Sequence, residues 1–179
     1  MSASYAAVLI KADAVRDNLE PLLLREIEEK GDVQIVFRRY WQLRESDICA
    51  LYPTWVNKEV FPYMVKNLVQ GPSLLCLAKG NKIHQHLTSV KGKMDRGGIR
   101  LRYRTHSKEE WEATGLSEDA VKQRMAENRI HTTDNEEETA LMLSLCLTPQ
   151  EVNLLSSEPR IYDLIRKHRA LVPIDSRPN

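Results

Sequence analysis

The chain has 179 residues, of which 42% are hydrophobic and 28% are charged, and its formal net charge at pH 7 is +1. This length and composition allow one sizeable core, so we expect a single domain over residues 1–179. No apolar stretch is long enough to span a membrane, and residues 1–5 lack the basic start of a signal peptide, so we expect a cytoplasmic protein with no membrane partner.

The first part of the chain alternates strand and helix patterns. Residues 5–12 are a continuous run of β-compatible apolar side chains, which predicts a central strand buried on both faces. Asp17 and Glu20 have capping-box spacing ahead of an amphipathic pattern, which predicts a helix that ends near Gly31. Residues 33–43 have the composition of a second strand.

The alternation continues further along the chain. Residues 58–69 carry a helical apolar stripe, residues 73–78 follow as an apolar strand, and residues 83–90 have the pattern of a short helix. Residues 139–147 are predicted to form a last buried strand. The resulting order of strands and helices predicts an α+β fold.

The cysteines indicate buried thiols. Cys49, Cys76 and Cys146 are odd in number, widely separated and each surrounded by apolar neighbours. Disulfides and zinc sites need paired or clustered cysteines, so we expect neither, and no metal site is predicted from the protein's side chains.

A basic stretch occupies residues 91–108. It contains a single acid, Asp95, and seven basic residues, which are Lys91, Lys93, Arg96, Arg100, Arg102, Arg104 and Lys108. The stretch would attract anions, and its glycines, Gly92, Gly97 and Gly98, favour a loop that approaches a phosphate closely. The alternative interpretation is a solvated surface run.

Two distant runs carry a more specific pattern. Residues 8–15 read Val-Leu-Ile-Lys-Ala-Asp-Ala-Val, and residues 128–134 read Asn-Arg-Ile-His-Thr-Thr-Asp. Between them, matching residues occur in order: Tyr52, Phe61-Pro62, Gly71-Pro72, Gly92 and Ile99-Arg100. Over roughly residues 5–148 this pattern resembles the nucleoside diphosphate kinase family. The resemblance implies a ferredoxin-like split βαβ sheet packed under helices.

The resemblance also implies a reaction and its residues. His131 would accept a phosphoryl group from a nucleoside triphosphate and pass it to a nucleoside diphosphate, since a neutral imidazole is nucleophilic near pH 7. Lys11 would compensate charge on the transferring phosphate, and Tyr52 would hydrogen-bond near both. Arg100 would bind phosphate and Asn128 the nucleotide sugar. The structural alternatives are a surface histidine, a solvated lysine, a packing aromatic and a turn-forming asparagine.

Three nucleotide-binding positions differ from the family pattern. Val60 stands where a phenylalanine usually stacks on the base, so we expect weaker base contact. Thr88 replaces a second phosphate-binding arginine, and Met94 lies near the position of a phosphate-binding threonine. Two anion contacts are therefore missing, and the candidates to replace them are Lys91, Lys93, Arg96 and Arg102.

The histidine loop departs from the pattern as well. Met142 occupies the position of a family glutamate that hydrogen-bonds the second imidazole nitrogen. Without that partner the tautomer of His131 is less firmly set. Glu137, Glu138 or a backbone carbonyl could take its place.

Two segments lie outside the family core. An insertion at residues 101–127 precedes the histidine loop, and Ser107 and Ser117 predict two short helices within it. A C-terminal extension at residues 149–179 contains a predicted helix at residues 158–170 and a polar tail.

The sequence thus predicts nucleoside diphosphate kinase-like phosphoryl transfer, with Mg²⁺ bound together with the nucleotide. The expected partners are nucleoside di- and triphosphates and further copies of the chain, as a homodimer or higher homo-oligomer. One alternative is a nucleotide-binding or sensing protein with weakened catalysis. The other is a ferredoxin-like module that binds RNA through residues 91–108, but the strands lack the paired exposed aromatics that such modules use, so nucleic acid is not expected.

Overall fold

The structure of the protein, a computed structural model, describes residues 3–93, 97–104 and 107–171. Its centre is a four-stranded antiparallel sheet in the order β2-β3-β1-β4. The strands are β1 (Ser4–Ile10), β2 (Gln34–Trp41), β3 (Ser73–Gly80) and β4 (Ile130–Thr132). This is the strand order of a ferredoxin-like split βαβ sheet, and it confirms the predicted α+β class.

Helices pack on both faces of this sheet. In chain order they are α1 (Ala12–Arg16), α2 (Glu20–Gly31), α3 (Glu45–Leu51), α4 (Phe61–Val69), α5 (Ile83–Lys91), α6 (Gly98–Arg102), α7 (Lys108–Ala113), α8 (Glu118–Ala126), α9 (Glu136–Cys146), α10 (Pro149–Leu154) and α11 (Pro159–Leu171). Short 3₁₀ turns lie at Pro53–Trp55 and Leu155–Ser157. None of the helices in the described ranges has the length and hydropathy that a membrane span requires.

Strand β1 is buried on both faces because the sheet separates two apolar clusters. Leu9 belongs to the cluster formed with α3, α4, α9 and α11, whereas Ile10 belongs to the cluster formed with α2 and α5. Both side chains are fully buried. This explains the continuous apolar run in the sequence, and truncating either residue to alanine should cost about 2–5 kcal/mol of stability.

One predicted strand is wrong. Residues 139–147 belong to helix α9, whose N-cap Asn135 accepts a hydrogen bond from the backbone N–H of Glu138 at 2.8 Å. The helix packs between β1 and α11, so its residues from Thr139 to its end are almost all buried and show no amphipathic period. An apolar run of this kind does not distinguish a strand from a buried helix. The last strand of the sheet is β4.

The predicted capping box at Asp17 and Glu20 is also wrong. The N-cap of α2 is Leu19, which makes no side-chain cap. The carboxylate of Asp17 instead accepts hydrogen bonds from Arg129, at 2.6 Å, and from Arg16. A guanidinium offers stronger, charge-assisted hydrogen bonds than a backbone N–H, which draws this carboxylate away from the helix end.

The helices predicted in the insertion and the extension are present. Ser107 and Glu110 form the capping box that opens α7, and Ser117 caps α8 by accepting a hydrogen bond from Ala120. In the extension, α11 packs along α9. The predicted polar tail at residues 172–179 and the candidate residue Met94 lie outside the described residues.

Candidate functional site

Strand pairing brings the two sequence runs together at one place. His131 in the middle of β4 lies opposite Leu9 of β1. Lys11 follows β1 directly, and its backbone N–H donates to the carbonyl of Arg129 at 2.9 Å. Two runs that are more than a hundred residues apart in sequence are thus neighbours in the sheet.

Lys11 is a buried cation with a neutral partner. Its residue is 3% exposed, and its Nζ donates to Oδ1 of Asn128 at 2.7 Å. The pKa of Lys11 is lowered to about 8, chiefly by burial, with the charges of Arg100 and Lys91 acting in the same direction and Asp13 opposing them. An ammonium group has three donors, so two remain for an anion.

The imidazole of His131 is held in its neutral form. Its side chain is 16% exposed, and its Nε2 lies 3.5 Å from Oε1 of Glu138. Burial lowers the pKa of His131 below its usual value, and the charges of Lys11 and Lys91 act in the same direction, while Glu138 opposes them. The nearby carboxylate favours the tautomer with its hydrogen on Nε2, so the lone pair is on Nδ1.

The structure selects among the proposed partners of the imidazole. Glu138 faces His131, whereas Glu137 contacts Nε2 of His168 at 2.7 Å. Met142 is fully buried in the apolar cluster around α9. Of the proposed partners, Glu138 is therefore the one that faces the imidazole.

Tyr52 packs against the histidine from the end of α3. The two rings are edge to face, with centroids 5.2 Å apart. The Tyr52 hydroxyl is buried and has no hydrogen-bond partner among the described residues. Burial raises the pKa of this phenol, so it stays protonated and keeps a donor for a ligand.

Arg100 lies beside the histidine strand. Its Nε and Nη2 donate to the carbonyl of Ile130 at 3.2 and 3.0 Å. Ile130 precedes His131 directly, so this bidentate contact fixes the guanidinium next to the imidazole. Burial lowers the pKa of Arg100, but the group remains charged because its ordinary value is so high.

Of the three positions that depart from the family pattern, the structure describes Val60 and Thr88, and these two do not share one place. Val60 is the N-cap of α4 and lines a surface groove. The other residues of that groove are Thr54, Trp55, Lys58, Glu59 and Lys122. Thr88 is exposed on α5, where its backbone carbonyl accepts from Gly92, and Met94 is not among the described residues. The structure therefore brings Lys11, Tyr52, Arg100, Asn128 and His131 together, but not Thr88.

Arg129 was missed in the sequence although it lies beside the histidine motif. It has a left-handed backbone, with φ at 65°, and is almost fully buried. Its guanidinium donates to the carboxylate of Asp17 and to the carbonyls of Asp13 and Tyr103. The signal was present, since the first motif contains the acid Asp13, Asp17 follows just after it, and the second motif contains a matching cation.

Metal-binding groups are sparse around this site. Within the described ranges, no group of three or more His, Cys, Asp and Glu side chains is arranged to hold a metal ion. Two carboxylates lie near His131, namely Asp134, which faces Lys91, and Glu138, which faces the imidazole. A divalent cation bound here would therefore take most of its ligands from phosphate oxygens and water.

Comparison with known proteins shows the family and agrees with the fold. A family model for nucleoside diphosphate kinase matches residues 5–152. The nucleoside diphosphate kinase of Metallosphaera sedula is 26% identical over 152 residues, which cover 85% of this chain and 99% of that protein. The Thermobifida fusca nucleoside diphosphate kinase is 33% identical over 88 residues, which cover 49% of this chain and 64% of that protein.

A solved structure has the same fold. The halophilic nucleoside diphosphate kinase from Halobacterium salinarum in complex with CDP superimposes with a TM-score of 0.66 at 19% sequence identity. The match covers 83% of this chain and 90% of the other.

Proposed function

The chain belongs to the nucleoside diphosphate kinase family, and we propose that it transfers the γ-phosphoryl group of a nucleoside triphosphate to a nucleoside diphosphate through a phosphohistidine at His131. One observation carries the proposal. A neutral imidazole, its Nε2 facing a carboxylate, lies in a site that also contains the buried cation Lys11 and the partly buried cation Arg100. That combination offers a nucleophile and compensation for phosphate charge in one place.

The first half-reaction forms a bond from His131 to phosphorus. The lone pair on Nδ1 attacks the γ-phosphorus as the bond from that phosphorus to the bridging oxygen breaks, and the electron pair leaves with the nucleoside diphosphate. The hydrogen on Nε2 stays in place, facing Glu138, which stabilises the positive charge that the ring gains.

The second half-reaction reverses the first with another nucleotide. A terminal oxygen of the acceptor diphosphate attacks phosphorus, the P–N bond breaks, and its electron pair returns to Nδ1. No net proton or electron is consumed. A phosphoramidate suits this relay because its P–N bond is weak enough to give the phosphoryl group back.

Cations in the site have separate tasks in this scheme. Lys11 donates from its remaining two N–H groups to the transferring phosphoryl group, where negative charge builds up. Arg100, fixed by the Ile130 carbonyl, contacts the diphosphate part. Asn128 bonds the sugar with its amide, and the unpaired hydroxyl of Tyr52 supplies a further donor.

The nucleobase is expected in the groove beside Val60. This groove carries the indole of Trp55, which is 46% exposed, and the ammonium of Lys122 from the insertion helix α8. An exposed indole offers a stacking surface that the valine cannot. The proposal thus gives the insertion a direct part in nucleotide recognition.

Mg²⁺ is the expected cofactor and would arrive with the nucleotide, neutralising charge on the phosphates. We further propose that the protein acts in the cytoplasm as a homodimer or higher homo-oligomer. Support for assembly comes from β2, an edge strand of the sheet that presents the exposed ring of Tyr40.

A second candidate is a nucleotide-binding protein with weakened catalysis. It is favoured by Val60 and Thr88, because the first removes an aromatic stacking surface and the second a phosphate-binding arginine. In that case the protein would bind nucleotide, but His131 would not be phosphorylated and dephosphorylated in a catalytic cycle.

The test is incubation with γ-labelled ATP and Mg²⁺, followed by acid and alkali treatment of the labelled protein. The unchanged protein should carry an acid-labile, alkali-stable label and pass it to added diphosphate. His131→Ala should not be labelled, whereas His168→Ala, which alters a histidine paired with Glu137, should label normally. Equal labelling of His131→Ala, or no labelling of the unchanged protein, would overturn phosphoryl transfer.

A further inference from the structure

Lys91 is a partly buried lysine at the edge of the proposed phosphate site. Its side chain is only 12% exposed, and its Nζ lies 3.7 Å from Oδ1 of Asp134, three residues after His131. Lys91 is the last residue of α5, one helical turn after Thr88. It thus follows, on the same helix, the position where a phosphate-binding arginine is missing.

A close backbone crossing holds Lys91 in this position. A Cβ added at Gly92 would lie 2.1 Å from the carbonyl oxygen of Gly97, and one added at Gly98 would lie 2.6 Å from the Cα of Gly92. Both Gly92 and Gly98 also have positive φ, at 65° and 76°. Only glycine fits such an approach, and the crossing joins the end of α5 to the start of α6, so Lys91 and Arg100 are presented to the same site.

The three cations of this site have contact partners that are neutral or exposed to solvent. Lys11 is paired with the neutral amide of Asn128, and Arg100 with the neutral carbonyl of Ile130. The carboxylate facing Lys91, on Asp134, is 76% exposed. Three cations whose partners are neutral or solvated form a site for an anion.

The mutual effects of these groups agree with that arrangement. Burial lowers the pKa of Lys91, and the nearby charge of Arg100 lowers it further, while Asp134 and Glu138 oppose the shift. Lys91 in turn lowers the pKa of Lys11. Repulsion of this kind is relieved when a phosphate enters between the cations.

Of the other candidates to replace the missing anion contacts, the structure describes Lys93 and Arg102. Arg102 pairs with Glu26 on α2, beside the hydroxyl of Tyr103, which bonds the same carboxylate. Lys93 is exposed to solvent, and Arg96 lies outside the described ranges. Among the candidates that the structure describes, Lys91 is the one that faces Asp134, three residues after His131.

We propose that Lys91 is a phosphate ligand of this site and takes over the contact that is lost at Thr88. When nucleotide binds, its ammonium exchanges Asp134 for a non-bridging phosphate oxygen. The inference deepens the proposed phosphoryl transfer and names one more group that touches the substrate. A lysine contributes a point charge there instead of the planar fork of an arginine.

The test is calorimetric titration of the protein with ADP and with inorganic tripolyphosphate, which lacks sugar and base. Lys91→Met keeps the apolar stem and removes the charge. It should weaken the binding of both ligands about tenfold or more, the size expected for losing one charge-assisted contact. The matched control Lys93→Met removes a lysine two residues away, and its affinities should stay within about twofold of the unchanged protein. Lys91→Arg should restore most of the affinity.

Two outcomes overturn the proposal. Either Lys91→Met binds tripolyphosphate as tightly as the unchanged protein, or Lys91→Met and Lys93→Met weaken it equally, which would indicate a diffuse charge effect. If Lys91→Met does not fold, Lys91→Gln replaces it in the same titration.

Phosphorylation of His131, measured in parallel, separates this inference from the proposed reaction. If the unchanged protein is labelled normally and Lys91→Met binds tripolyphosphate with unchanged affinity, then phosphoryl transfer is supported and the role of Lys91 is refuted. If the unchanged protein is never labelled, but Lys91→Met binds tripolyphosphate more weakly, then Lys91 is a phosphate ligand and the proposed phosphoryl transfer is refuted. If the unchanged protein binds neither ADP nor tripolyphosphate, both are overturned.

Discussion

Glu138 and His131 face each other across the turn between β4 and α9, with Oε1 of Glu138 3.5 Å from Nε2 of His131. The other oxygen of Glu138 accepts the backbone N–H of Asp134 at 2.7 Å. Met142, which occupies the family's glutamate position, is four residues later and so one turn further along the same helix. Glu138 thus lies one helical turn nearer the start of α9 than Met142, and it faces the imidazole.

Glu138→Gln should slow phosphorylation of His131 by about 10–100-fold, because the substituted amide no longer balances the charge that the ring gains. Glu137→Gln is the matched control, since the carboxylate of Glu137 is next to Glu138 in sequence but pairs with His168 instead. The measurement is the rate of labelling by γ-labelled ATP in a rapid-quench experiment. Equal rates in both variants would remove Glu138 from its assigned role.

Phosphorylation should depend on pH through two groups of the free protein. His131 is reactive when neutral, so kcat/KM should rise as pH passes its lowered pKa, below the usual 6.5. Lys11 is useful when charged, and its pKa is lowered to about 8, so kcat/KM should fall as pH rises through about 8. Initial rates at low nucleotide concentration over pH 5–10 give the profile.

Lys11→Arg distinguishes the acid side of the pH profile, assigned to His131, from the alkaline side, assigned to Lys11. An arginine stays charged throughout this range, so the alkaline fall should disappear while the acid limb stays in place, whatever the height of the plateau. An alkaline fall that persists unchanged in this variant would mean that another group titrates there.

The groove beside Val60 predicts opposite effects for two substitutions. Trp55→Ala should weaken ADP binding by about 0.5–1.5 kcal/mol by removing the stacking surface, whereas Val60→Phe should strengthen it by a similar amount. Neither should change the affinity for tripolyphosphate, which has no base. Calorimetry with both ligands checks this. If Trp55→Ala loses equal affinity for ADP and for tripolyphosphate, the base does not bind in this groove.

The insertion should be removable without loss of the core. None of the described residues 107–126 belongs to the two apolar clusters that flank the sheet. The insertion is fastened to α4 by polar contacts, including Tyr63 to Asp119 at 2.5 Å and Asn67 to the carbonyl of Ala126 at 3.0 Å. A Gly-Ser connector of about eight residues in place of residues 105–126 should therefore give a folded protein.

That shortened protein should bind ADP more weakly and tripolyphosphate as before, because Lys122 is lost from the base groove and the phosphate-binding residues are kept. In the full chain, nucleotide should lower backbone hydrogen exchange in α8. Full ADP affinity in the shortened protein would make the insertion a passive elaboration.

Gly98→Ala should lower the free energy of unfolding more than Gly115→Ala. Both glycines have positive φ, which costs an alanine roughly 1–2 kcal/mol, but a Cβ at Gly115 meets no atom within 4 Å. At Gly98 it meets the backbone of Gly92, which adds about 1–3 kcal/mol for overpacking. Urea denaturation of both variants gives the comparison, and equal losses would mean that the crossing relaxes freely.

Sequence reasoning identified the family and the α+β fold because the two motif runs and the buried strands are local patterns. It assigned α9 as a strand because burial on nearly all sides removed the helical period, and it overlooked β4 because a three-residue strand has no pattern of its own. The roles of Lys11, Arg100 and His131 stay predictions until the experiments above are done.

The remaining features depend on tertiary contacts that no local pattern encodes. The position of Lys91 follows from a crossing between two glycines, and that of Glu138 from the start of a helix. Neither could be read from spacing along the chain, although both residues were among the candidates.

The buried guanidinium of Arg129 has a mechanical consequence for the catalytic cycle. It connects the start of β4 to Asp13 and Asp17 in the segment after β1, and to Tyr103 at the start of the insertion. We therefore expect the strand that carries His131 and the segment that carries Lys11 to move as one unit and to stay in place while substrates exchange. We expect opening and closing around a nucleotide to come from the insertion helix α8, whose contacts from Asp119 to Tyr63 and from Lys122 to Glu59 are polar and exposed. Turnover should accordingly be limited by motion of that helix, and its speed should respond to salt and viscosity more than to changes around the histidine.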